Sequence, residues 1–155
     1  MTLDYIRLTP GRLDEALAMM RSFYTEEALE YREQRARGAL EQLIANPEHG
    51  GFWFIHADSQ PVGYFVLTVC CSLEFGGRFA LLDEFFVESA NRGGGIGARV
   101  LQAVEVEAGR MGVAAVRLEV DRLNPRVRAF YARSGFVPHD RDLMTKWLGD
   151  APASL

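Results

Sequence analysis

Hydrophobic and polar positions alternate, then recur every three or four residues, then alternate again, and these changes of period divide the chain into elements. Leu3 to Leu8 alternate with polar neighbours and include aromatic and β-branched residues, which predicts a strand that Pro10 and Gly11 end. Leu13, Ala16, Leu17 and Met20 then fall at helical spacing, and the pattern frays into FYTEEALEYREQ. A second helix is expected from about Glu33 to Ala45, with Ala36, Leu40, Leu43 and Ile44 on one side and Asn46 and Pro47 as its stop. Three strand-like runs follow, Phe52 to Ala57, Val62 to Cys70 and Phe79 to Val87. The links between them, DSQP and EFGGR, are short and rich in turn residues, so the three read as an antiparallel meander. On strict alternation, Leu82, Glu84 and Phe86 share one face of the last run, and Leu81, Asp83, Phe85 and Val87 the other.

Beyond this run the period is helical again. Ile96, Val100, Val104, Ala108 and Met111 line one face of a long helix that Gly112 ends, and Ala115 to Val120 reads as a strand. Strand, helix and strand make a right-handed crossover with two parallel strands. A last helix is predicted over Pro125 to Arg133, closed by Ser134 and Gly135. A final strand is predicted over Leu143 to Leu148, then a frayed tail, GDAPASL, from 149 to 155. The whole is an α/β pattern with a mixed sheet, a meander followed by a βαβ crossover.

Composition narrows the function classes. A chain of 155 residues with 48% hydrophobic positions suits one domain spanning 1–155 with a continuous core. No apolar run approaches the roughly 20 residues of a membrane span, and MTLDYIRLTP lacks the apolar centre of a signal peptide, so a cytoplasmic protein without a membrane partner is expected. The net charge of −4, with no basic run interleaved with aromatics, argues against nucleic acid and permits a cationic substrate. Cys70 and Cys71 are neighbours on a strand and point to opposite faces, which suits two reduced packing residues. His49, His56 and His139 have no metal-ligand spacing, and no metal is expected.

Candidate chemistry concentrates in FALLDEFFVESANRGGGIGA, residues 79 to 98. Glycines at 93, 94, 95 and 97 lie between a strand and the start of a helix, where unpaired N–H groups and the positive end of the helix dipole bind anions. Arg92 adds a donor suited to phosphate. A plain connecting turn is the alternative, at the entropic cost of four glycines. GGGIGA also satisfies the dinucleotide pattern GxGxxA, with Glu119 and Asp121 at about the expected distance. Against that stand the five residues ESANR before the first glycine and too few βα units for a nucleotide-binding half. No GK[ST] follows, which excludes a Walker loop. Upstream, Glu26, Glu27, Glu30 and Glu33 gather beside Phe23, Tyr24 and Tyr31, as either a solvated helix face or a mobile substrate-side loop.

Two motifs carry a resemblance. The first is RxxGxG, here Arg92, Gly95 and Gly97, after the strand DEFFV; the second is NPRVRAFYARSGF, with Asn124, Tyr131, Gly135 and Phe136. In this order they resemble the GNAT superfamily of N-acetyltransferases over nearly the whole chain. The resemblance implies acetyl-CoA as co-substrate. Its pyrophosphate would be cradled by N–H groups of Gly93, Gly94, Gly95, Ile96, Gly97 and Ala98. Its pantetheine arm would pair with the strand at Phe85, Phe86 and Val87, in a groove splayed between the two parallel strands, and would touch Asn124. It further implies Tyr131 as the acid that protonates the departing thiolate. For the base that takes the amine's proton it offers Glu84 or Asp83, or a chain of waters, and the longer reach of Glu84 favours it. The acceptor would be a primary amine of a small cationic molecule, beside Tyr24, Glu26 and Glu27. A peptide or protein amine, an acyl-CoA-binding module without turnover, and a nicotinamide-dependent oxidoreductase are the alternatives. Members are often homodimers.

Overall fold

The computed structural model describes residues 1–152 and places five strands in one sheet, in the order β1-β2-β3-β4-β5. β1 (Leu3–Arg7), β2 (Gly50–Ala57), β3 (Gln60–Ser72) and β4 (Gly77–Val87) pair antiparallel in succession, and β5 (Val116–Arg117) joins β4 in parallel. The β2–β3 turn consists of Asp58 and Ser59, whose φ angles of 47° and 68° give the doubly left-handed geometry that matches strand twist in a two-residue hairpin. α1 (Leu13–Glu26) and α2 (Glu33–Ala45) precede β2, α3 (Ile96–Arg110) connects β4 to β5, and α4 (Pro125–Arg133) follows β5. The mixed sheet, the meander and the βαβ unit are thus those the periodicity predicts.

Both sheet faces are covered, which is why the strands read as almost continuously apolar. On one face Trp53, Ile55, Phe65, Leu67, Ala80 and Leu82 pack against Ile96, Val100, Leu101, Val104 and Ala108 of α3. On the other, Phe52, Phe54, Tyr64, Val66 and Phe86 meet Ala16, Leu17, Met19 and Met20 of α1 and Leu40 of α2. Stacked ring pairs lie on each face, Trp53 on Phe65 at 5.2 Å and Phe52 on Tyr64 at 4.6 Å. α1 runs through the ambiguous FYTE to Glu26, because Phe23 and Tyr24 find partners against Tyr64 and Tyr31 there.

Three expectations are corrected. Strict alternation along β4 fails: the register passes from Val66 opposite Glu84 to Leu67 opposite Leu82, so Asp83 is an extra residue, a β-bulge. Leu82 therefore faces α3, with Phe85 and Val87 beyond the bulge on that same side, while Glu84 and Phe86 face α1 and α2. The strand expected over Ala115 to Val120 shrinks to Val116–Arg117, because β4 diverges past Leu81 and leaves the later residues no ladder. No strand forms over Leu143 to Leu148: with β5 so short there is no edge to extend, and Leu143, Met144 and Leu148 are exposed. Of the predicted frayed tail, residues 149–152 form neither helix nor strand, and 153–155 lie outside the described residues.

Candidate active site

β4 ends at Val87, a short turn over Ser89–Asn91 follows, and the glycines come next. Gly93, Gly94 and Gly95 all have positive φ (93°, 56° and 79°), a run of backbone that residues with a Cβ rarely adopt. A Cβ built on any of them would meet nothing within 4 Å, so the loop presents bare backbone to open space. The Ile96 N–H donates to the Gly93 carbonyl at 3.3 Å and the Arg99 N–H to the Gly95 carbonyl at 3.2 Å, while the N–H groups of Gly97 and Ala98 between them start the helix with no carbonyl one turn back, and with the positive end of the helix dipole they favour an anion. Gly97 also carries a packing constraint. Its missing Cβ would lie 3.0 Å from Phe130 Cζ, so this glycine permits the close approach of α3 and α4. Arg92 does not project freely either. Its Nε donates to the Val87 carbonyl at 2.7 Å, a terminal nitrogen pairs with Glu26, and the guanidinium lies over the Phe86 ring at 5.8 Å.

Next to this loop the sheet opens. β4 and β5 pair only at Ala80 with Val116 and Leu81 with Arg117, yet β4 runs on to Val87, so from Asp83 onward its β5-side edge has no strand partner. α4 borders the opening. Phe130 lies 6.5 Å from Phe85, and the Tyr131 ring is held between Phe130 and Phe136 at 5.0 and 5.6 Å. The Tyr131 hydroxyl has no hydrogen-bond partner among the described residues and keeps contact with solvent. Burial of its ring pushes its pKa up to about 12, so it stands ready as a proton donor at neutral pH. Asn124 caps α4, its Oδ1 accepting from the Val127 N–H at 3.2 Å, an occupation that accounts for the residue by itself.

Across the sheet, Glu84 is gripped by two phenols. Tyr24 of α1 donates to Oε1 at 2.6 Å and Tyr64 of β3 donates to Oε2 at 2.7 Å. Burial raises the Glu84 pKa; the two hydrogen bonds oppose that rise, and the neighbouring Asp83 charge adds to it. The two phenols are themselves raised, first by burial and then by the Glu84 charge. Because of the bulge, Asp83 and Glu84 do not face opposite ways as alternation requires. Asp83 stands at a cavity of about 350 Å3 whose other lining includes Ala39, Gln42 and Leu43 of α2 and Thr68 of β3, on the same side as Glu84. Asp83 as a residue is exposed, yet enough protein surrounds its carboxyl for desolvation to raise its pKa.

The acidic segment upstream is largely neutralised within the chain. Glu26 pairs with Arg92, Glu30 with Arg32 at 2.6 Å, and Glu33 with Arg21 and Arg37. Glu27 alone of the four has no ion-pair partner among the described residues. Tyr64 is the residue that sequence reasoning missed. The signal was a tyrosine inside the run VGYFVLTV, since a buried phenol needs a partner for its hydroxyl. Among the described residues no group of three or more His, Cys, Asp or Glu side chains converges as metal ligands would, and no helix is long and apolar enough to cross a membrane. Cys70 and Cys71 are free thiols.

The sequence profile of the acetyltransferase (GNAT) family matches residues 16–136. Among solved structures, an integron cassette protein from the mobile metagenome of Cole Harbour salt marsh is 31% identical, with 95% of this chain and 91% of that one covered and a TM-score of 0.83. A predicted acetyltransferase from Clostridium acetobutylicum, solved with acetyl-CoA, is 16% identical over 94% and 96% of the two chains, with a TM-score of 0.78. The aminoglycoside N-acetyltransferase AAC(6')-Iy, solved with CoA, is 14% identical over 96% of each chain, with a TM-score of 0.77. At such identities these last two show a common fold. No curated protein matches the chain.

Proposed function

The chain belongs to the acetyltransferase (GNAT) family, and from that premise we propose that it moves an acetyl group from acetyl-CoA to a primary amine, with a small cationic molecule as acceptor. One observation carries the reading. The opening between β4 and β5 has a tyrosine hydroxyl without a partner among the described residues on its α4 side and a half-buried carboxylate on its α1 side, and it leads from a free strand edge to the bare glycine loop.

These residues fit the co-substrate. An extended amide-bearing arm matches the unpaired edge from Asp83 to Val87, and a pyrophosphate matches the glycine loop from Gly93 to Ala98, where the Ile96 N–H is taken by the Gly93 carbonyl and those of Gly97 and Ala98 start α3. Bound there, acetyl-CoA supplies an activated thioester. The chain supplies proton control: an amine attacks only when neutral, so Glu84 is the sink for its proton, and Tyr131 donates to the sulfur as the C–S bond breaks. Burial favours the protonated form of both groups, so Tyr131 carries a proton at neutral pH and Glu84 is a better proton acceptor than a free carboxylate. Aminoglycosides, the acceptors named for AAC(6')-Iy, carry several amines, which supports a small cationic acceptor.

The test is thermal shift with CoA, acetyl-CoA, NAD and ATP, followed by thiol release over a panel of amines. CoA or acetyl-CoA should raise the melting temperature and NAD should not. Tyr131→Phe keeps the ring contacts and removes only a hydroxyl that bonds to nothing among the described residues, so turnover should fall about 100-fold or more while stability and CoA affinity hold. A shift with NAD alone, or a parallel loss of stability and activity in Tyr131→Phe, overturns the reading.

A further inference from the structure

We propose that Tyr24 is the group that takes the proton from the acceptor's ammonium, handing its own phenolic proton to Glu84 in the same step. This rests on the acetyltransferase reading and concerns the path of one proton within it. Both Glu84 oxygens are already engaged, Oε1 by the Tyr24 hydroxyl and Oε2 by the Tyr64 hydroxyl. The two phenols differ in where they lead. Tyr64 is 0% exposed and stacked on Phe52, so it offers no way out to solvent or substrate. Tyr24 is only half-buried, stands in the last turn of α1 before the α1–α2 connection, and touches Phe23 and Tyr31 by ring edges, while its oxygen stays on the carboxylate. Of the two phenols on Glu84, Tyr24 alone has exposed surface, so it alone can pass a proton between an arriving ammonium and the carboxylate.

The step balances. An N–H bond of the ammonium breaks and its electron pair stays on nitrogen, while the proton bonds to a lone pair of Tyr24 Oη. The original Tyr24 O–H breaks and its proton bonds to Glu84 Oε1. An ammonium and a carboxylate become a neutral amine and a neutral acid, and no phenolate forms. That last feature agrees with the surroundings, because burial and the Glu84 charge both oppose a negative Tyr24. The other titratable groups that bear on the pair are Asp83 and Tyr31; they also disfavour negative charge on Tyr24, and neither bonds to Glu84. After the amide departs, the proton leaves by the reverse route to water.

A second role for Tyr24, that of merely holding the carboxylate in place, makes a different prediction. Losing a donor to the ionised form raises the Glu84 pKa and moves the acid limb of the rate profile to higher pH, but leaves the plateau in place. The experiment is the pH profile of acetyl transfer for wild type, Tyr24→Phe and Tyr64→Phe, with a proton inventory in mixed light and heavy water on the plateau. The relay requires that Tyr24→Phe lower the plateau kcat by about 100-fold and turn a curved, two-proton inventory linear. It requires that Tyr64→Phe, which withdraws a bond from the same carboxylate, shift the acid limb and keep the curvature. A preserved plateau in Tyr24→Phe, or matching profiles and inventories for the two variants, overturns it. If wild type releases no thiol with any amine, the acetyltransferase reading falls and the relay falls with it, and that outcome is seen before any variant is made.

Discussion

Glu84→Gln should leave the protein at least as stable as wild type above neutral pH, whereas Glu84→Ala should weaken it. Burial raises the native pKa of Glu84, so the native state holds this proton more firmly than the unfolded chain does. The stability contributed is then complete below the unfolded value, about 4.3, and is lost as pH rises through the raised native value. Glutamine keeps an acceptor for one phenol and an amide for the other and carries no charge, so it escapes that loss. The Gln-minus-wild-type difference should grow with pH across this window and level off above it. Asp83 is raised by burial as well, but it titrates in both proteins and largely cancels. Alanine instead strands the hydroxyl of Tyr64, a wholly buried residue whose bond is to Glu84. An orphaned buried hydroxyl costs about 1–3 kcal/mol and each lost buried CH2 about 0.8 kcal/mol, so Ala should fall below Gln by roughly 2–4 kcal/mol. At about 2–4 °C per kcal/mol for a chain of this size, that is a gap of roughly 4–16 °C in Tm. Urea unfolding followed through the fluorescence of Trp53, buried on Phe65, would measure it at pH 5.5 and 8. Equal midpoints for Gln and Ala, or a Gln-minus-wild-type difference that shrinks as pH rises, would refute the reasoning.

Gly94→Glu places a side chain and a negative charge in the open space beside the start of α3, and it should abolish the thermal shift with CoA while far-UV dichroism stays native; an unchanged shift would move the anion site elsewhere. Gly97→Leu should instead act through packing, costing about 1–3 kcal/mol that Phe130→Leu partly restores; independent effects of the two changes in a double-mutant cycle would contradict the α3–α4 contact. On the acceptor side, Glu27→Gln should raise the acceptor KM more than Glu26→Gln, because Arg92 already neutralises Glu26, and added salt should mimic the change; acceptor kinetics untouched by either would make the segment a solvated face.

The helices and the meander were legible because each has one period and a covered face. α3 repeats its apolar residues from Ile96 to Ala108, and the β2–β3 and β3–β4 hairpins are announced by Asp58-Ser59 and Gly76-Gly77. The glycine loop was legible for the same local reason, since consecutive positive φ angles demand glycine. What could not be read depended on pairing across the chain. Nothing within LLDEFF marks Asp83 as the extra residue; the bulge is fixed by the register against Val66 and Leu67, and it decides which side Leu82 and Asp83 face. Gly97 looked like the glycines before it, although it alone of them packs against Phe130, on a helix that begins 28 residues further on, at Pro125. The Leu143 to Leu148 pattern had the composition of a strand but no edge to join.

The divergence of β4 from β5 puts an unsatisfied strand edge in the interior of the sheet instead of at its rim. Edges at the rim are where sheets recruit foreign strands and aggregate, and here the two outer strands are kept short, five residues in β1 and two in β5. The longer bare edge of β4 is bordered instead by α4, whose Phe130 ring lies 6.5 Å from Phe85. Backbone donors and acceptors are therefore left open inside the sheet, while its rim offers only short strands.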